Sequence, residues 1–488
     1  MGNLNLIPGG MMRRRILASV VALVALTAGC AAEDSEKAQQ EVNTQSGSTG
    51  ASGADSGDPA EGTAAKFGTM DSPCGKGDGK VQASEAGGGT DKLYLGVGNE
   101  RSSEIRNGLL AEFWDTAVAF AKWCNAQGGV AGLPVEVVDL DGKVVAVEAA
   151  MAKACTGVFA IVGGGWAQDN QIFSGKDGSD FHKCKLIAIP GFAVSTDVSE
   201  GNGLVQPIPN PSYVRATDWH ETLAKLYPDK IDNYGVVYGT LPSIEQNKEQ
   251  AIGVAKTVDG FGNFGAVSYN PIGAQDWGVV AQQVRDANLE LVYFAGEPAN
   301  LSKFGQALKD QDYKGIVYAD ANQYDQVVID ASGPAAVEGL VIRIASHPFE
   351  EGDKWPATQQ LLEILKDGNP AGKVASLNTQ AFSAWLLFAQ SAKACASKGE
   401  ITRDCVLTEA KSVKDWDGGG LHTPTNPGTN EPPRCSMALQ IKDGKFVRLF
   451  PELGSKDDNG DGFACTETEP VTITGDLGKG NVDPSRTA

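Results

Sequence analysis

Positive charge is in short supply: 41 lysines and arginines stand against 61 aspartates and glutamates in 488 residues, a net charge of −20 at pH 7. A surface of that sign repels phosphate backbones and argues against a nucleic-acid partner. Histidine is scarcer still. His182, His220, His347 and His422 are the four in the chain, scattered without metal-ligand spacing, so no cofactor is expected from them. Neither a Gly-x-Ser-x-Gly elbow nor a His-Glu-x-x-His pair occurs, and no Cys/His nucleophile stands out, so the chain does not read as an enzyme. Gly163-Gly164-Gly165 closes a predicted strand, yet no Gly-Lys-Ser/Thr follows and the dinucleotide spacing is missing. That turn reads instead as a place where backbone approaches a ligand closely. The apolar run Ile16 to Leu26 is too short to span a bilayer comfortably.

What that run does offer is export. Arg13, Arg14 and Arg15 precede it, and Leu26-Thr27-Ala28-Gly29-Cys30 closes it. Small residues leading into a cysteine resemble the lipobox of bacterial lipoproteins, whose cysteine is lipidated. Residues 1–30 are therefore expected to be a lipoprotein signal peptide, with Cys30 as the lipid site and the outer face of the cell membrane as the location. A plain secretory signal that leaves Cys30 free is the alternative. Residues 31–91 read as a disordered tether and N-terminal extension, since from Ala31 to about Phe67 there is almost nothing to bury. Setting Cys30 aside, the nine cysteines leave an even eight, which an exported protein can pair. Eight cysteines allow 105 connectivities. Proximity favours Cys395 with Cys405 and, less firmly, Cys435 with Cys465.

A chain this long exceeds what one hydrophobic core normally serves, so two lobes are expected. Between Lys92 and Arg448, short β-branched runs alternate with amphipathic helical stretches, the pattern of parallel sheets covered by helices. One series runs through Leu93–Val97, Val135–Leu140, Val158–Val162 and Leu186–Ile189. A second runs through Tyr234–Tyr238, Ala266–Tyr269, Leu291–Phe294 and Ile316–Tyr318. The fold class is α/β, with two Rossmann-like lobes. The first spans 92–213 with 347–400, the second 214–346 with about 401–450, and 451–488 forms a tail. In that tail Asp457, Asn459 and Asp461 match the opening of a calcium loop, but Thr468 stands where its twelfth-position acid belongs, which favours a polar turn.

Asn125-Ala126-Gln127-Gly128-Gly129-Val130-Ala131-Gly132-Leu133-Pro134, followed by Val135 to Asp141, resembles the first helix-turn-strand of type I solute-binding proteins, the leucine/isoleucine/valine-binding family of ABC importers. Further matches follow in order: Gly163–Trp166, Ile189–Ala193, Tyr213–Thr217, Tyr234–Gly239, Gln275–Trp277 and Gly444–Val447. The resemblance implies two lobes joined by three crossings that close over a small molecule and present it to ABC permease subunits. An anchored sensor or cell-envelope interaction protein of the same fold, without a permease, is the alternative. It also implies ligand contacts at strand ends, namely Gly165, Trp166, Gln168, Phe192, Ala193 and Ser195 in the first lobe and Glu297, Tyr318 and Asp320 in the second. Where amino-acid binders of this family carry serine and threonine hydroxyls, this chain carries Trp166 and Phe192. The expected ligand is accordingly amino-acid-like, an amide, or an aromatic or hydrophobic metabolite.

Overall fold

The computed structural model describes residues 65–88, 91–170 and 180–486. The signal peptide, Cys30 and most of the tether lie outside the described residues. A short ribbon, β1 (Lys66–Phe67) against β2 (Met70–Asp71), opens the described chain. The first lobe then builds a parallel sheet from β3 (Leu93–Asn99), β4 (Val135–Asp141), β5 (Ala160–Val162) and β6 (Ile187–Ile189), in the order β4-β3-β5-β6. Leu93, Leu95 and Val97 alternate with Tyr94 and Gly96, and helices shield both faces, as a parallel sheet requires.

A short strand β7 (Val214–Arg215) marks the first crossing. The second lobe lays out β8 (Tyr234–Gly239), β9 (Gly265–Tyr269), β10 (Leu291–Ala295), β11 (Ile316–Ala319) and β12 (Val341–Ile344) as a parallel sheet in the order β9-β8-β10-β11-β12. Both sheets thus reverse direction beside their first strand. Such a switch point opens a crevice beyond the carboxyl ends of the strands, where open α/β sheets take their ligands. The chain returns to the first lobe for helices Pro356–Gly368 and Ser376–Ala396, then crosses a third time to add β13 (Cys435–Lys442) and β14 (Lys445–Phe450), antiparallel, to the second sheet. The family's two-lobed α/β plan with three crossings is what the chain adopts.

Several boundaries differ from the sequence reading. The ordered body starts before Lys92, because Phe67 is fully buried against Phe382 and Trp123, and Cys74 is bonded to Cys124. Helix Arg403–Ser412, assigned from sequence to the second lobe, packs on helix Ser376–Ala396 in the first, and Val406, Leu407 and Ala410 lie in that core. The tail is also more than a tail. After β15 (Ala464–Cys465) pairs with β13, β16 (Val471–Thr472) pairs with β7, and the chain continues onto the first lobe, where the Asn481 N–H donates to the Asp197 carbonyl. It forms a fourth link between lobes.

Four disulfides tie the body: Cys74–Cys124, Cys155–Cys184, Cys395–Cys405 and Cys435–Cys465. The last two are the pairs that proximity favoured. In the proposed calcium loop the oxygens are engaged locally. Asp457 pairs with Lys225 at 2.5 Å, Asn459 Oδ1 accepts the N–H groups of Asp461 and Phe463, and the Asp461 carboxylate lies 3.7 Å from His347. Among the described residues no group of three or more His, Cys, Asp or Glu side chains is disposed to hold a metal.

Candidate functional site

A cavity of about 640 Å3 lies between the lobes, at the carboxyl ends of both sheets. Its size falls within the range that takes drug-sized ligands. The first lobe contributes Leu109, Phe192, Ala193 and Leu377; the second contributes Trp219, Tyr293, Tyr318 and Val327. The lobes touch around it. Arg106 Nε meets Glu297 Oε2 at 2.5 Å, Ser243 donates to the Ala167 carbonyl, and Gln246 Oε1 accepts from Thr196 Oγ1 at 2.7 Å.

The first crossing forms one wall. Arg215 Nη1 donates to Asn210 Oδ1 at 2.7 Å and to the Pro211 carbonyl at 2.8 Å, which fixes the guanidinium at the cavity. Burial pulls Arg215 below its ordinary pKa, opposed by the charge of Asp320. Helix Asp218–Leu226 follows at once and supplies Trp219 and His220 to the lining. Burial drives His220 down to about 3, so it is neutral at pH 7. Arg343 enters from β12 and donates through Nη2 to the buried Asp218 at 3.3 Å, while its Nη1 stands 3.9 Å from Asp320. On the opposite side Lys373 lies 2.6 Å from Asp325 and 3.3 Å from Glu112.

Of the residues expected at the site, Phe192, Ala193, Glu297, Tyr318 and Asp320 line the cavity. Asp320 accepts from the Tyr293 hydroxyl at 2.7 Å, and the Tyr318 hydroxyl shares a hydrogen with Tyr234 at 2.7 Å. Gly165, Trp166, Gln168 and Ser195 do not line it. Trp166 is 1% exposed, and its indole N–H donates to the Leu140 carbonyl at 3.1 Å. A Cβ on Gly98 would fall 2.8 Å from its ring, and one on Gly142 at 2.6 Å, so both glycines make room for a tryptophan that belongs to the core. Gly165 packs against Phe192. Gln168 Nε2 donates to the Val144 carbonyl at 3.0 Å, and the Ser195 N–H donates to Asp169. The Gln168 side chain and the Ser195 backbone brace the strand-end loops behind the cavity wall. His347, outside the lining, stacks on Trp355 with ring centroids 3.9 Å apart.

Sequence reasoning missed Arg215, Trp219, Tyr293 and Arg343 as lining residues. One signal was available for Arg343, a lone charge inside the otherwise apolar run Val341-Ile342-Arg343-Ile344. Buried charges persist where they are paired or functional.

Residues 93–445 match the family described as periplasmic binding protein. Among solved structures, a fatty acid ABC transporter substrate-binding protein from Thermomonospora curvata aligns with a TM-score of 0.63 at 17% identity, over 78% of this chain and 97% of its own. A leucine-binding protein from Thermotoga maritima gives 0.59 at 16% identity, over 73% and 98%. An extracellular ligand-binding receptor from Verminephrobacter eiseniae gives 0.59 at 15% identity, over 73% and 99%. At such identities the likeness is one of fold. No curated protein matches the sequence significantly. With two α/β lobes, a cavity at the facing strand ends and a family match over most of its length, the chain belongs to the periplasmic binding protein family, whose members are solute-binding proteins and not enzymes.

Proposed function

We propose that this chain is the substrate-binding subunit of an ABC importer, held at the outer face of the cell membrane by a lipid on Cys30, and that it delivers a small organic solute to a permease. The observation that carries the reading is the cavity of about 640 Å3 built from both lobes. A ligand that touches both lobes favours the closed arrangement over the open one, and closure is the signal a permease reads. Micromolar affinity corresponds to about 8 kcal/mol, which a few buried hydrogen bonds and the aromatic walls can supply. The lining carries Phe192, Trp219, Tyr293 and Tyr318, and its acids are engaged by cations or hydrogen-bond donors of the protein, which supports an apolar or ring-bearing solute over a compact amino acid. One fold neighbour is a fatty acid ABC transporter substrate-binding protein and another a leucine-binding protein, so the fold accommodates both kinds of ligand.

The test is a thermal-shift survey of the purified protein against amino acids, amides, aromatic acids and fatty acids. A ligand of the folded state present at about a hundred times its Kd adds about 2.7 kcal/mol of stability and raises the melting temperature. One class is expected to respond. Silence across every class would remove the reading.

A further inference from the structure

We propose that the solute is a carboxylic acid with an apolar body, its carboxylate held by Arg215 and the Trp219 indole N–H at the first crossing. This rests on the substrate-binding reading above and narrows it.

The argument begins with charge matching. Among the cations that line the cavity, Arg106 is paired with Glu297, Arg343 with Asp218, and Lys373 with Asp325 and Glu112. Arg215 has no carboxylate within ion-pair distance among the described residues, and its hydrogen bonds to Asn210 and Pro211 use Nη1 alone. Its nearest acid by electrostatic effect, Asp320, is already engaged by Tyr293 and lies beside Arg343. A planar guanidinium fixed on one side, with its other N–H groups unclaimed, is shaped for a carboxylate.

A second observation points the same way. Trp219 is 4% exposed, and its indole nitrogen, a donor only, is buried without a partner. Arg343 Nε is likewise buried and unpartnered in the same wall. A buried donor left unmet destabilises the protein. Two unmet donors in the wall that carries Arg215 call for a ligand group rich in acceptors. His220 is neutral and adds no charge, and Asp320 opposes a second negative charge, so a monoanion fits better than a phosphate ester. Elsewhere the wall carries Phe192, Ile208, Leu377 and Val327, and its charged groups are spent on one another, Arg106 with Glu297 and Lys373 with Asp325 and Glu112.

The full-length protein would be titrated by calorimetry with straight-chain and aromatic monocarboxylates, with the primary amide of each, and with the phosphate ester of the matching alcohol. At least one acid is expected to bind about tenfold to a hundredfold more tightly than its own amide. Arg215→Gln should abolish that preference. Because Arg215 also holds the turn at Asn210, Trp219→Phe serves as a second variant. It keeps an aromatic ring while removing the N–H together with part of the indole, and should weaken the acid more than its amide, by about tenfold. An amide that binds as well as its acid, a phosphate ester preferred to the acid, or an unchanged preference in both variants would overturn the proposal while sparing the substrate-binding reading. No binding by any compound of any class would overturn both.

Discussion

Glu100 closes β3 with a fully buried side chain whose Oε2 accepts the Ala167 N–H at 3.1 Å, while its Oε1 has no partner. Burial, with Asp169 and Asp141 nearby, raises its pKa to about 7; burial raises Asp169, which clamps the N–H groups of Val194 and Ser195, to about 6. For a carboxyl group raised from 4.5 to about 7, the folded state prefers the protonated form. That preference contributes stability in full below about pH 4.5 and loses it as pH rises through 7. Glu100→Gln keeps an acceptor for Ala167 without a charge. Its stability relative to the parent should rise between pH 5 and pH 8 by on the order of 3 kcal/mol. Denaturation midpoints of both proteins at the two pH values check this, and parallel profiles would refute it. Trp166 shows why residue roles were hard to read from sequence. A strand-end aromatic faces either a ligand or the core, and the choice at Trp166 was made by Gly98 and Gly142, distant in sequence from it.

The least legible element was the tail. Its composition is polar, and a strand of only Val471–Thr472 leaves no periodicity to detect. In the structure Ile473 and Leu477 are buried against Val254 of helix Pro242–Ala255, the Tyr213 hydroxyl donates to the Gly478 carbonyl, and Lys185 lies 3.6 Å from Asp483. The tail thus grips the crossing strand, then the second lobe, then the first. Ending the chain after Thr468 would delete Ile473 and Leu477, whose burial is worth about 1.5–3 kcal/mol each, uncover Val254 and remove the link. The truncated protein should melt at lower temperature and release a bound solute faster. Stopped-flow dissociation decides the kinetic part, and an unchanged off-rate would mean that the tail does not restrain opening. The strands, by contrast, were mostly legible. Continuous apolar runs such as Leu291–Ala295 are what a sheet covered on both faces demands.

Over the whole molecule, the alternation of strands and helices carried the architecture, because each β/α unit must bury one face of its helix on a sheet. The pocket was not legible in the same way, since it is assembled from β7, β12 and loops whose proximity only the closed arrangement of lobes creates. The covalent framework fell between these cases. Cys395 and Cys405, ten residues apart, could be paired by proximity, whereas Cys74–Cys124 spans fifty residues and Cys155–Cys184 twenty-nine. Each bridge is worth about 2–4 kcal/mol. Alkylation of the native protein should leave all eight of these cysteines unmodified until a reductant is added, and mass spectrometry of the labelled protein checks the count.

The Cys74–Cys124 bond has a further consequence, in the mechanics of the molecule. It rivets the segment on which the described chain begins to helix Ala111–Ala126 of the first lobe. A pull on the N-terminus is therefore delivered to the first lobe through a covalent bond. The second lobe bears load only through the crossings and the C-terminal link. Under tension the first lobe is the fixed jaw, and the second is the one that swings.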